Sequence, residues 1–308
     1  MKNKTVIFIT KNHTNPAYGG ALVGARKITE AAGYVVEMRA PQVPDDPAEQ
    51  AEIVRQAIAE EPAGIILLPA HATLLNDAIR EIEAADIPLV LVVSKPTSGR
   101  WICWVGSDNV DLTFRLGCFL LDRLDAASKV AIIDGHPGSI TTPERHEGFS
   151  AACKSKNVTV VDAVSGYFQH KEGRAAFDEF VGRHGSPDAL LVANDLMAMG
   201  ICEAFDEGHP VVPMVSVNGT PDAVAAIKTG QLVATACLNT LGFGAVAAEA
   251  LVRHLRGEAV PNEIVLEAEI IHAGNVAEWD QPYELRPMPA WPESPSRHDG
   301  SRQFHDKS

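Results

Sequence analysis

Thr5-Val6-Ile7-Phe8-Ile9-Thr10-Lys11-Asn12-His13-Thr14-Asn15-Pro16-Ala17-Tyr18-Gly19-Gly20 opens with a continuous apolar run that breaks into a polar turn. Leu22, Ala25, Ile28 and Ala32 then recur at three- and four-residue spacing, and residues 34–38 form a second, mostly apolar run. The reading is strand, turn, helix, strand. A run that is apolar throughout, with no alternation, suits a strand covered on both faces, as in a parallel sheet with crossover helices.

The same rhythm extends outward from this unit. Apolar runs stand at 64–68, 89–93, 130–133, 158–164, 189–193, 214–217 and 233–238. Helical patterns stand at 47–60, 74–85, 110–124, 145–154, 174–183, 195–207 and 241–256. This is an α/β chain. So many parallel strands exceed one ordinary twisted sheet, so two doubly wound parallel-sheet lobes are expected, with the break near 106–109. Asp195 is expected to cap its helix, Pro47 to occupy a first turn, and Gly33 and Gly257 to end helices. From Asn275 onward Pro, Ser, His and charged residues dominate, and 281–308 is expected to be a flexible tail.

Length and composition narrow the function. A chain of 308 residues with 46% hydrophobic content has ample core for two lobes. The net charge of −14, with scattered basic residues, argues against nucleic acid, which demands a basic surface. Cys103, Cys118, Cys153, Cys202 and Cys237 form no C-x-x-C pair, and read as free thiols that lean toward a reducing compartment. The apolar stretch 5–10 is too short for a signal-peptide core, and no segment approaches the roughly 20 apolar residues of a membrane helix. A soluble chain with no export signal in these residues is expected.

In open α/β sheets ligands collect at the carboxyl ends of strands, where loops and helix N-termini converge. Those ends carry Lys11, Asn12, His13, Asn15 and Tyr18, then His71, then Ser94 and Lys95. Farther along come Asp134, His136 and Arg145, Tyr167 and Phe168, Asn194 and Asp195, Asn218 and Asn239. Amides and guanidinium groups bond hydroxyls directionally, and aromatic rings stack on the apolar face of a sugar. Taken singly, each is equally at home as a helix cap or turn former. Enzyme signatures are missing: Gly19 and Gly20 come too late for a dinucleotide turn, and there is no Walker loop, nucleophile elbow or H-E-x-x-H. No catalytic residue, cofactor or metal is expected.

Six ordered motifs resemble the type I periplasmic binding proteins, in the ribose-binding-like branch shared with the ligand-binding cores of LacI-type repressors. Asn15-Pro16-Ala17-Tyr18 is similar to the family's Asn-Pro-Phe-Phe. Gly106-Ser107-Asp108-Asn109 resembles its first interlobe crossing, and Glu144-Arg145-His146-Glu147-Gly148-Phe149 its Arg-x-x-Gly-Phe. Asn194-Asp195-Leu196-Met197-Ala198-Met199-Gly200, Val217-Asn218-Gly219-Thr220-Pro221-Asp222 and the strand at 232–235 follow in order.

The resemblance implies one lobe at 5–106 with 240–267, a second at 108–238 with 268–280, and closure about three crossings. It implies ligand contacts from Asn15, Tyr18, Arg145, Phe168, Asn194 and Asn218. Ser94 and Asn239 join them by position: Val93-Ser94 replaces the family's Asp-Arg, and Asn239 adjoins Leu238, which stands where a Gln is usual. Asn218 replaces a usual Asp. These departures imply a smaller polyol, a modified sugar, or a ligand with one negative group near Lys11, His71 or Arg145. The implied role is capture of a sugar-like or polyol-like ligand by a monomer that serves an ABC transporter permease, in the periplasm. The alternative is a cytoplasmic ligand sensor of the same fold. Only four residues precede Thr5, too few for the DNA-binding domain of a repressor.

Overall fold

The computed structural model describes residues 3–125 and 127–291. In chain order the first half contains β1 (Thr5–Ile9), α1 (Pro16–Ala31), β2 (Val35–Arg39), α2 (Pro47–Ala59), β3 (Gly64–Leu67), α3 (Asn76–Ala84), β4 (Leu89–Val92) and β5 (Cys103–Gly106). Next come α4 (Asn109–Leu121), β6 (Lys129–Asp134), α5 (Thr141–Ser155), β7 (Thr159–Ser165), α6 (His170–His184), β8 (Ala189–Val192), α7 (Asp195–Asp206) and β9 (Met214–Asn218). The chain continues with α8 (Pro221–Thr229), β10 (Ala234–Cys237), α9 (Thr240–Leu255), β11 (Glu263–Val265) and β12 (Glu269–His272).

The strands form two six-stranded sheets, ordered β11-β5-β4-β3-β1-β2 and β12-β10-β9-β8-β6-β7. The paired strands are parallel except β10 with β12. The expected α/β class with two parallel-dominated lobes is therefore what the chain adopts. Ile7, Ile66, Val90, Ile132 and Leu191, all mid-strand, are wholly buried, as strands covered by helices on both faces must be.

Three passages join the sheets: after β5, between β10 and α9, and between β11 and β12. The first and third are tied together, because Leu266 N donates to Gly106 O at 2.8 Å and the Ser107 hydroxyl donates to Leu266 O. In each sheet the chain reverses direction beside its first strand, between β1 and β3 and between β6 and β8. Such switch points open a crevice at the carboxyl edge.

One close approach shapes that crevice. A Cβ on Gly24 of α1 would lie 1.9 Å from Leu241 O, and one on Gly244 of α9 would lie 1.8 Å from Ala21 O. Only glycine lets these backbones meet, and the meeting carries the first turns of both helices to the cleft.

Several expectations are corrected. Asp195 does not cap α7; Asn194 does, accepting from Met197 N at 2.9 Å. The helix predicted from Arg145 begins at Thr141, a turn earlier. Helix α8 and strands β5, β11 and β12 were not anticipated. Of the expected flexible tail, 281–291 is anchored at Arg286, which is 4% exposed and whose guanidinium donates to Gly219 O, Trp279 O and Gln281 O. Three carbonyls converging on one cation hold the segment down. The remainder, 292–308, lies outside the described residues.

Candidate functional site

The carboxyl ends of both sheets face one another across a cavity. Lys11 follows β1, Leu68 follows β3, and Val92 ends β4 with Val93 next in the first lobe; Asn194 follows β8, Asn218 ends β9 and Leu238 follows β10 in the second. The cavity volume is about 50 Å³, several times the roughly 10–15 Å³ that one water needs. The lobes close over it. Thr14 Oγ1 donates to Gln169 Oε1 at 2.8 Å, Gln169 Nε2 donates to Asp45 Oδ2 at 3.0 Å, and Ala72 N donates to Gly138 O at 3.3 Å.

Six of the eight residues expected at the site line this cavity: Asn15, Tyr18, Arg145, Phe168, Asn194 and Asn218. The first-lobe pair comes from the start of α1. Asn15 caps that helix through Oδ1, which accepts from Ala17 N at 3.0 Å, and its Nδ2 has no protein partner among the described residues. Burial holds the Tyr18 phenol well above its ordinary range, with Asp45 adding to the effect. That hydroxyl therefore acts as a neutral donor and acceptor.

Arg145 is the centre of the second-lobe wall. Nε donates to Asn109 Oδ1 at 3.0 Å and Nη1 donates to Ala193 O, which fixes the guanidinium plane and leaves Nη2 without a protein partner among the described residues. Burial pulls its pKa down to about 10, while Glu144, Tyr18 and Asp195 oppose the fall. Its Cζ sits 5.8 Å from the Phe168 ring centroid. Phe168 reaches in because Gly135 has no side chain: a Cβ there would lie 2.0 Å from Phe168 Cζ.

Asn194 is more committed than expected. Its Nδ2 donates to Phe168 O at 3.1 Å while Oδ1 caps α7, so it positions the ring as well as facing the cavity. Beneath it Asp195 is wholly buried, and accepts from the Ser216 and Thr235 hydroxyls and from Thr220 N. Burial raises the Asp195 pKa and those donors oppose the rise; together they lock the ends of β9 and β10.

Two expected residues lie elsewhere. Ser94 sits behind the wall, accepting from Lys11 Nζ at 2.8 Å, and so aims the ammonium. Asn239 serves the hinge: Oδ1 accepts from Gly242 N at 3.3 Å and Nδ2 donates to Pro287 O at 2.9 Å.

Ala17, Ala21, Leu68, Thr141, Thr240 and Phe243 also line the cavity and were not singled out as contacts, and so does Lys11, expected only as one of three places for a negative group. Lys11 stood in the polar turn after β1, a signal that was available. Burial brings its pKa down to about 8, against the pull of Asp45. Backbone strain concentrates here too: Val93, Phe168 and Asn218 have φ of 64°, 60° and 139°. A β-branched residue at positive φ costs energy, and such strain clusters at ligand sites.

The sequence pattern of the periplasmic binding protein domain matches residues 6–259. The chain belongs to this family. The resemblance read from its six motifs is borne out. This binding protein is 27% identical to the ribose import binding protein of Bacillus subtilis over 263 residues, covering 85% of each chain. It is 25% identical to the putative rhizopine-binding protein of Rhizobium meliloti, covering 79% and 82% of the two chains. Among solved structures, a Mycobacterium smegmatis ABC transporter solute binding protein with bound glycerol superposes with a TM-score of 0.83 at 24% identity, covering 91% and 98%. The Caulobacter myo-inositol binding protein superposes at 0.82 with 21% identity, covering 89% and 95%. The family and these relatives are binding proteins.

Proposed function

We propose that this protein captures a small sugar-like or polyol-like solute between its lobes and hands it, unchanged, to an ABC-type importer. The observation that carries the reading is the closed cavity walled by both lobes, with Tyr18 and Asn15 on one side and Arg145, Phe168 and Asn218 on the other. A ligand there would bridge the lobes and favour the closed form. The moving bodies are 5–106 with 240–267 and 108–238 with 268–280, turning about the three passages. Work outside the cytoplasmic membrane, as a monomer and without nucleic acid, accords with the family and the acidic surface. A second reading, a cytoplasmic sensor of the same fold, is favoured by one observation: all five cysteines are free and four are buried.

Ligand binding to the folded state alone raises the melting midpoint. We expect at least one member of a panel of sugars, polyols and sugar acids to raise it, and Arg145→Ala to remove the shift. A flat response across the panel would overturn solute capture. An unchanged affinity in Arg145→Ala would remove that residue from the site.

A further inference from the structure

The cavity's polar groups are unbalanced. Two are cations, Lys11 from the first lobe and Arg145 from the second, and among the described residues no Asp or Glu lines the space. The acid that acts most strongly on Lys11, Asp45, is occupied by Asn12 Nδ2 at 3.1 Å and Gln169 Nε2 at 3.0 Å. The oxygens of Asn15 and Asn194 already accept backbone N–H groups. What remains toward the ligand is rich in donors: an ammonium, a guanidinium Nη2 and the Asn15 amide. The Tyr18, Thr141 and Thr240 hydroxyls and the Asn218 amide can both donate and accept, and the remainder of the wall is apolar, through Leu68, Val92, Val93, Leu238 and Phe243.

A neutral polyol carries one O–H donor for every oxygen, and those protons need acceptors. Here the acceptors facing the space are few, the Tyr18, Thr141 and Thr240 hydroxyls and the Asn218 amide oxygen, while the two cations can only donate, and each hydroxyl proton left unpaired costs binding. A carboxylate is acceptor-only. Placed between Lys11 and Arg145 it would satisfy both cations with charge-assisted bonds and draw the lobes together.

We infer that the ligand is a small sugar acid or hydroxy acid whose carboxylate is shared between Lys11 and Arg145. The inference deepens the solute-capture reading and rests on it. It also accounts for the buried ammonium. Two like charges facing one cavity lower each other's affinity for a proton, and Arg145 does lower that of Lys11. An anion between them removes that repulsion. With pKa values brought down to about 8 and about 10, both groups are still mainly charged at neutral pH.

The test uses matched pairs of equal carbon number: glycerate with glycerol, erythronate with erythritol, ribonate with ribitol. Each is titrated calorimetrically into the full chain at pH 7. The acid of at least one pair should bind about 10- to 100-fold more tightly than its alcohol, the scale of a charged hydrogen bond. Lys11→Met should abolish that preference, while Lys11→Arg, which retains the charge, should preserve most of it. Neutral members binding as tightly as acids would overturn the inference and leave solute capture standing. An acid preference that survives Lys11→Met would overturn the assignment of the carboxylate. No binding by any member, with sugars also silent, would bring down both readings.

Discussion

Lys11 shows how one side chain can set the ligand class of a binding site. Its ammonium is buried, aimed by Ser94, and faced by Asp45, Arg145 and Glu144, with the neutral Tyr18 alongside. Its folded pKa of about 8 lies below the ordinary 10.5, so the unfolded chain keeps the proton longer. Without ligand, the closed form therefore gains stability as pH rises from about 8 toward 10.5, on the order of 3 kcal/mol in full. A bound carboxylate reverses the preference, because it holds the proton on Lys11. Acid affinity should be constant below about pH 8 and fall up to tenfold per unit above it. Calorimetry from pH 6.5 to 9.5 checks this, with Lys11→Met expected to flatten the profile; a flat profile in the parent chain would place no titrating cation at the ligand. The residue scale was only partly legible in the sequence. Asn15, Arg145 and Asn218 occupy motif positions, whereas Asn239 was misplaced because its left-handed backbone, φ 44°, turns the side chain to the hinge. Leu68, Thr240 and Phe243 reach the cavity only through tertiary packing.

At the scale of elements, the contact between α1 and α9 decides the cleft's shape. Their glycines allow backbone contact that no other residue permits, and they deliver Ala21 and Phe243 to the cavity wall. Gly244→Ala forces a Cβ into Ala21 O, and overpacking of this kind typically costs about 1–3 kcal/mol. The melting midpoint should drop and ligand affinity should weaken, since the helices must separate; an unchanged midpoint would mean the helices shift freely. By contrast Gly19, with nothing near its Cβ position, should accept Ala with little loss. The long buried strands were legible because burial on both faces leaves an unbroken apolar run. Strands β11 and β12 were not, being three and four residues long at sheet edges with Glu263 and Glu269 in them. Helix α8 did leave a signal: Thr220 as cap, Pro221 in the first turn, and Gly230 in the left-handed conformation at its end.

For the whole molecule, the segment after β12 binds the two lobes where they join. It leaves the second lobe at Trp279 and lays the Tyr283 ring against Gly20 of α1, where a Cβ would lie 2.8 Å from the ring. Lys27 of α1 donates to Glu284 O at 2.5 Å. Arg286 then returns to the second lobe through Gly219 O at 2.6 Å, and Pro287 O meets the hinge residue Asn239. A proline- and charge-rich sequence gave no apolar period from which to read this, and its anchor is a single buried cation. Arg286→Ala would leave three carbonyls without their donor, each at a cost of about 1–3 kcal/mol where water cannot replace it. The midpoint should therefore fall by several degrees. Because the segment holds both lobes at one angle, a chain ending at Asp280 should also release ligand faster, while association changes less. Stopped-flow measurement of both rates distinguishes this from simple destabilisation: equal dissociation rates in the parent and shortened chains would show that the segment stabilises the fold without restraining the hinge.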